Sequence, residues 1–78
     1  MEIRIEYCAA WGYEPKAVSL TEQLLTEYKQ RIRQLTLIPF DDGRFEVFVD
    51  NKKIYSKKTT GRFPEYNEVR TALEKQAA

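Results

Sequence analysis

The chain has 78 residues, of which 42% are hydrophobic and 32% are charged, a balance typical of one small globular domain without a deep cleft between lobes. Thirteen basic and twelve acidic residues give a formal charge of +1, which provides no general attraction for nucleic acid or an anionic membrane. One cysteine and no histidine exclude an internal disulfide, an ordinary zinc site and a histidine-based catalytic triad.

Residues 2–7 predict a half-buried strand, because hydrophobic Ile3, Ile5 and Tyr7 alternate with charged side chains. A helix is expected to follow, since Pro15 suits a first helical turn and the next residues are rich in Glu, Gln, Lys and Arg. Apolar side chains then recur at helical spacing over about five turns, counted at roughly 3.6 residues per turn. They are Val18, Leu24, Leu25, Tyr28 and Ile32.

The middle of the chain predicts three further strands. Residues 35–40 form a short apolar run, and the Asp-Asp-Gly at 41–43 is a turn signal before the alternating segment Phe45–Val49. The Asp-Asn pair at 50–51 suits the positive φ angles of a tight hairpin. Residues 52–57 are therefore expected to return antiparallel to the preceding strand.

The last third predicts the end of that strand and a closing helix. The Thr-Thr-Gly run at 59–61 breaks the strand, and the Phe-Pro pair at 63–64 precedes the helix. The inward-facing stripe of the helix is expected to consist of Tyr66, Val69, Leu73 and Gln76.

The order of predicted elements, β-α-β-β-β-α, defines the fold class. The right-handed crossover rule makes the first two strands parallel, whereas the later strands form an antiparallel hairpin. Both helices must cover the same face for so short a chain to bury a core. We therefore predict a two-layer α/β domain over residues 1–78, with a mixed four-stranded sheet. Its outer face is expected to turn Glu2, Arg4, Glu6 and Glu46 toward water.

The single cysteine, Cys8, comes where the first strand ends and a helix is about to begin. Such a junction offers backbone N–H groups and partial exposure, the surroundings of a redox thiol. The alternative is that Cys8 is a small buried hydrophobic residue. The redox interpretation depends on a sulfur presented to solvent. A side chain sealed in the hydrophobic interior, beyond reach of a tripeptide thiol, would overturn the oxidoreductase assignment and leave only the predicted architecture.

Two aromatic residues follow the cysteine and allow two interpretations. Trp11 and Tyr13 flank Gly12. Aromatic side chains after a strand commonly pack on the edge of the core. Exposed aromatic side chains also anchor interfaces, so the loop from Cys8 to Tyr13 is a candidate platform for a docking protein, with Ala9 and Ala10 between the thiol and the indole.

Five basic residues between the hairpin and the closing helix could suggest nucleic acid. Strand alternation, however, places Lys53 and Tyr55 on one face and Lys52 and Ile54 on the other, which disperses the charge. We favour a solvated strand edge that lysines protect from aggregation, and expect no nucleic-acid partner. The five residues are Lys52, Lys53, Lys57, Lys58 and Arg62.

The first residues contain neither the apolar run of a secretion signal nor the pattern of a transit peptide, and no stretch approaches the length of a transmembrane helix. A lone cysteine fits a reducing compartment or a thiol that pairs with an outside molecule. We therefore expect a cytoplasmic protein with no membrane partner, no metal and no bound cofactor.

Three motifs in order and spacing resemble selenoprotein W and its bacterial relatives in the Rdx family. They are Tyr-Cys-Ala-Ala-Trp-Gly-Tyr-Glu-Pro-Lys from position 7, Gly-Arg-Phe-Glu-Val-Phe-Val from position 43, and Ser-Lys-Lys before Thr-Thr-Gly-Arg-Phe-Pro from position 56. The resemblance spans nearly the whole chain. It implies a thioredoxin-like fold and a glutathione-dependent thiol or selenol oxidoreductase with an antioxidant role.

The resemblance also assigns the site residues. The family carries a Cys-x-x-Sec or Cys-x-x-Cys pair between the first strand and the first helix; Cys8 matches its first member and Trp11 occupies the second position. Any exchange must then be monothiol, with glutathione as the resolving co-substrate. Some animal relatives are linked to 14-3-3 adaptor proteins, so a redox-impaired interaction module that uses the Cys8 to Tyr13 loop is the alternative function.

Overall fold

A four-stranded sheet organises the chain. In the computed structural model, which describes residues 1–77, the strands lie in the order β2-β1-β3-β4. Strand β1 pairs parallel with β2 and antiparallel with β3, and β3 pairs antiparallel with β4, so the predicted mixed sheet is confirmed. The strand bounds are β1 Glu2–Cys8, β2 Gln34–Phe40, β3 Phe45–Val49 and β4 Lys52–Ser56.

Three α-helices accompany the sheet: α1 Glu14–Tyr28, α2 Lys57–Thr60 and α3 Tyr66–Ala77. Helix α1 is shorter than predicted, because Lys29 adopts a positive φ of 49° and a single 3₁₀ turn then leads to the extended Ile32. Lys57, which was predicted to end the last strand, is the first residue of helix α2. This helix ends at Thr60, because the next residue, Gly61, has a φ of 80°, a left-handed conformation that stops a helix. Within residues 1–77 there is no helix with the length and apolar character needed to cross a membrane.

The hydrophobic core lies between the sheet and the two long helices. Side chains from β1 and β3 meet those of α1 and α3 in one buried cluster, which places both helices on the same sheet face as predicted. Val69 and Leu73 are fully buried, whereas Gln76 is exposed, so the inward stripe of α3 ends one turn earlier than expected.

The buried face of α1 differs from the predicted stripe. Val18 and Leu25 belong to the apolar residues that recur at helical spacing, but they are 57% and 45% exposed and do not face the core. Ala17, which carries little hydrophobic signal, is fully buried instead, because a small side chain lets the helix approach the sheet closely. The complete buried set of this helix is Ala17, Leu20, Leu24 and Tyr28.

The sheet face opposite the long helices is charged, but two of its acidic side chains are not in water. Glu6 and Glu46 are only 9% and 8% exposed, so their predicted exposure is wrong. Glu6 accepts hydrogen bonds from Arg4 Nε at 3.0 Å and Arg44 Nη1 at 2.7 Å. These cations cover the carboxylate and compensate for its burial. We call this side of the sheet the open face.

A bulge in β4 reverses the predicted alternation. The register shifts between Val47 and Phe48, which leaves Ile54 without a partner on β3. Tyr55 therefore lies in the core, whereas the Lys53 ammonium lies 5.8 Å from the centre of the Phe48 ring. Lys53 and Tyr55 are on opposite faces, not on one face as alternation predicted.

Candidate functional site

Cys8 is the last residue of β1 and pairs with Phe40 at the end of β2. The Ala9 N–H donates to the Phe40 carbonyl at 2.9 Å, which continues the pairing one residue beyond the strand. The backbone around the thiol is therefore fixed by the sheet, at the predicted junction between strand and helix.

Residues 9–13, which we call the 9–13 loop, connect Cys8 to α1 by a tight backbone path. The Gly12 N–H donates to the Ala9 carbonyl at 3.0 Å, and the Tyr13 N–H donates to the Cys8 carbonyl at 3.1 Å. Gly12 has a φ of 74°, a conformation that residues with a β-carbon rarely adopt. The loop thus folds back on the end of β1.

The Cys8 side chain is a free thiol with 0% exposure. The prediction that it is presented to solvent is wrong, and neither water nor glutathione reaches the sulfur in this conformation. Cys8 is, however, outside the cluster of core side chains described above. Because Ile3 and Ile5 point into the core, strand alternation puts Cys8 on the open face with Glu6.

Trp11 is the most exposed large hydrophobic side chain among the described residues, at 63%. Its indole rests on the backbone of Gly43, which is buried in the turn between β2 and β3. A β-carbon at position 43 would lie 2.6 Å from Trp11 Cζ3 and 2.8 Å from Cη2, distances that real β-carbons do not show. The contact therefore requires glycine at this position.

A chain of aromatic rings leads from Trp11 into the core. The centroids of Trp11 and Tyr13 are 6.1 Å apart, those of Tyr13 and Phe63 are 4.7 Å apart, and those of Phe63 and Phe45 are 5.3 Å apart. All three pairs are edge-to-face, the geometry that aromatic quadrupoles favour. Tyr13 therefore packs at the edge of the core, as the first interpretation predicts, whereas the Trp11 indole packs at one end of this chain and is also exposed to solvent.

Two lysines cover the inner part of this aromatic chain. Lys57 Nζ lies 5.5 Å from the Tyr13 ring centre and 5.3 Å from that of Phe63, and Lys16 Nζ lies 5.2 Å from Phe63. These are cation–π distances. Phe63 is a site residue that the sequence indicates only as part of a helix start, through its position before Pro64.

The turn that carries Gly43 is held by an ion-pair network. The Arg44 guanidinium bonds to Asp42 at 2.8 Å and to Glu6 at 2.7 Å, and its carbon lies 3.6 Å from the centre of the Phe40 ring. Hydrogen bonds from Arg44 lower the pKa of Asp42 to about 2. The surface beneath Trp11 is thus anchored to the open face of the sheet.

The basic residues of the hairpin region do not form a continuous patch. Lys53 is paired with Glu46 at 3.4 Å, Lys58 with Asp42 at 3.9 Å, and Arg62 with Glu68 at 2.6 Å. Strand β4 lies at an edge of the sheet, and Lys52 and Lys53 are exposed there. This arrangement matches the predicted solvated edge.

A groove of about 270 Å³ lies between α1 and the segment that precedes α3. It is lined by Lys16, Ser19 and Gln23 on one wall and by Phe63 and Tyr66 on the other. The groove opens on the helix-covered side, away from the face that carries Cys8. Among residues 1–77, no three His, Cys, Asp or Glu side chains form a group able to hold a metal ion.

Comparison with known protein families gives one match that spans most of the chain. Residues 2–75 match the model of the Rdx family. Selenoprotein W of Ovis aries is 40% identical over 57 residues, which are 72% of this chain. Selenoprotein W of Macaca mulatta is 37% identical over 59 residues, which are 74% of this chain. The match spans 66% of the sheep protein's length, just under two thirds.

Solved structures agree with this match. A selenoprotein W-related protein from Vibrio cholerae superposes with a TM-score of 0.93 at 27% identity, covering 99% of this chain and 96% of its own. A Bordetella parapertussis protein has a TM-score of 0.91 at 20% identity, covering 96% and 95%, which is a likeness of fold alone. The predicted thioredoxin-like α/β fold is confirmed.

Proposed function

This chain belongs to the Rdx family, and from that premise we propose that it is a glutathione-dependent thiol oxidoreductase of the cytoplasm in which Cys8 is the only reacting sulfur. Family membership indicates a redox-related function. The observation that carries the finer proposal is the place of Cys8 at the end of β1, where the loop to α1 begins, on the sheet face opposite the two long helices. Trp11, three residues later, supplies no second sulfur.

The proposed cycle uses one protein thiol and two molecules of glutathione. The Cys8 thiolate attacks the outer oxygen of a hydroperoxide, an alcohol leaves, and a sulfenic acid forms. A glutathione thiol then forms a disulfide with Cys8 and releases water. A second glutathione thiolate attacks the glutathione sulfur of that disulfide, which releases oxidised glutathione and restores the Cys8 thiolate.

The burial of Cys8 limits this cycle. With 0% exposure the sulfur cannot meet a hydroperoxide or a tripeptide until neighbouring chain moves aside. We therefore expect turnover to be slow and to depend on local opening rather than on chemistry alone.

The test is mass spectrometry of the intact protein after exposure to hydrogen peroxide and glutathione. The expected product carries one glutathione, is lost on reduction, and is absent in a Cys8→Ser variant. An unmodified wild-type thiol, under conditions that glutathionylate a control redox protein, would overturn the proposal.

The second candidate is a redox-impaired protein-interaction module, and the 63% exposure of Trp11 beside a buried thiol favours it. Exposed indoles anchor protein interfaces. The test is a binding titration with a purified 14-3-3 protein, the partner type suggested by animal relatives. Binding that is lost in Trp11→Ala and kept in Cys8→Ser supports the module; equal binding by both variants, or none by the wild type, contradicts it.

A further inference from the structure

We propose that the 9–13 loop is a lid over Cys8 and that Trp11 fastens this lid by resting on Gly43. Trp11 is then a positioning residue that controls access to the thiol. The relevance of the lid to catalysis rests on the proposed function; its existence does not, and the experiment below separates the two.

The first step is that the groups that cover Cys8 must lie on the open face or in the adjoining loop, because the long helices pack against the other face of the sheet. The cysteine lies on the open face, away from the cluster in which α1 and α3 cover the sheet, yet it has 0% exposure. The 9–13 loop begins at the next residue, and its backbone returns to the Cys8 carbonyl through the Tyr13 N–H. Strand pairing places Phe40 beside Cys8 on the open face, and the Arg44 guanidinium stacks on the Phe40 ring at 3.6 Å. We infer that the loop shields the sulfur together with these two side chains.

The second step is that Trp11 gives the middle of the lid a tertiary contact of its own, in addition to the hydrogen bond of Ala9 to Phe40 and the packing of Tyr13 on Phe63 at the two ends of the loop. Trp11 reaches across to the turn before β3 and covers Gly43, which is buried although it lies in a turn. The bonds of Arg44 to Asp42 and Glu6 hold that turn in place. The indole therefore rests on a turn that ion pairs hold in place.

The third step concerns the cost of opening. Most of the Trp11 side chain already faces solvent, so lifting it from Gly43 exposes little additional apolar surface. The two backbone hydrogen bonds that close the loop, Gly12 to Ala9 and Tyr13 to Cys8, are separate from the pairing of β1 with β2 and β3. Local opening of this kind costs less free energy than unfolding of the whole domain.

The test measures the rate at which iodoacetamide alkylates Cys8, the only cysteine, in native buffer. Gly43→Ala forces the indole off its seat. Gly61→Ala is the matched control, because its φ of 80° equals the strain at Gly43, where φ is 81°, and its β-carbon meets no atom within 4 Å. We expect alkylation to be about tenfold faster in Gly43→Ala than in Gly61→Ala. The comparison is made at urea concentrations that give the two variants the same free energy of unfolding.

Trp11→Ala is a second variant, which removes the indole without straining the backbone. Its rate of Cys8 alkylation is expected to match that of Gly43→Ala. In the wild type, a rate that does not change over low urea concentrations identifies local opening. Equal rates in Trp11→Ala and the wild type, or a wild-type urea dependence equal to that of global unfolding, would overturn the lid.

Alkylation forms a carbon–sulfur bond with loss of iodide and needs neither peroxide nor glutathione. A protein whose Trp11→Ala variant alkylates rapidly but which never forms the glutathione adduct has the lid without the proposed redox function. A protein that forms the adduct equally fast with and without the Trp11 indole has the function without the lid.

Discussion

Glu6 and Glu46 lie directly opposite each other across β1 and β3, and both carboxylates are about nine-tenths buried. Like charges at such a position destabilise a sheet unless each has its own partners. Glu6 is paired with Arg4 and Arg44, whereas Glu46 accepts a hydrogen bond from Ser56 Oγ at 2.9 Å and lies 3.4 Å from Lys53 Nζ.

Removal of the serine hydroxyl tests this compensation. Ser56→Ala takes from buried Glu46 its closest donor, and a buried hydrogen bond to a charged group contributes about 1.5–3 kcal/mol. We expect the free energy of unfolding, measured in urea, to fall by about 1–2 kcal/mol. Ser19→Ala, on the exposed face of α1, is the control and is expected to change it by less than about 0.5 kcal/mol. Equal values for the two variants contradict the prediction.

The stability of the protein at acid pH is expected to depend on Glu68. Hydrogen bonds from Arg62 lower its pKa from 4.5 to about 2, and it also accepts the Glu65 N–H at 2.9 Å just before α3. A lowered pKa in the folded state stabilises the protein above pH 4.5, and this contribution is lost as the pH falls toward 2.

Glu68→Gln is therefore expected to make the unfolding free energy less dependent on pH over this interval, as measured by urea unfolding at several pH values. Glu22→Gln, a change at an exposed carboxylate without an ion pair in the described part of the chain, is the control. A Glu68→Gln profile parallel to the wild type would show that the pair does not act in this way.

The stability of the protein at alkaline pH is expected to depend on Tyr28. Burial, and then its hydrogen bond to Glu74 at 2.8 Å, raise the pKa of this phenol from 10.0 to about 12. A phenol that ionises later in the folded state stabilises the protein below pH 10, and the contribution disappears as the pH rises through 12.

Tyr28→Phe is expected to reduce the loss of unfolding free energy between pH 10 and about 12. Urea unfolding at pH values below and above this range measures the effect. Tyr66, whose pKa is also raised by burial and by a hydrogen bond to Glu27, retains its own part. The prediction fails if the variant loses stability with pH as steeply as the wild type.

The two faces of α1 are expected to respond differently to substitution. Leu24→Ala removes a fully buried side chain and is expected to cost about 2–5 kcal/mol of unfolding free energy. Val18→Gln changes a side chain that is 57% exposed and is expected to cost less than about 0.5 kcal/mol. Urea unfolding of the pair decides between the observed face and the face predicted from sequence, which would make Val18→Gln as costly as Leu24→Ala.

The fold was largely predictable because strand alternation and crossover handedness are local or general rules. Ile3 and Ile5 identified the buried face of β1, and the Asp-Asn pair at 50–51 identified the hairpin. The face of α1 was not predictable in the same way, because Ala17 contributes close packing rather than hydrophobicity. The bulge at Ile54 depends on the register between β4 and β3, which the sequence of β4 alone does not determine.

The candidate site was predictable in position but not in exposure. The end of an alternating strand placed Cys8 at the junction between β1 and α1, whereas the assignment of Trp11 to the site depended on the family resemblance. The burial of the thiol depends on how the loop folds back, and Trp11 meets Gly43 only through the tertiary structure. Contacts between residues so far apart in the chain leave no periodic pattern to detect.

The two outer strands of the sheet have a consequence for behaviour at high concentration. Strand β2 has Pro39, which has no N–H to offer a neighbouring chain, as its second-last residue. Strand β4 is short and bulged, and begins with Lys52 and Lys53. These features disfavour the addition of a strand from a neighbouring molecule at either edge of the sheet. We therefore expect them to limit edge-to-edge association of crowded copies of this protein.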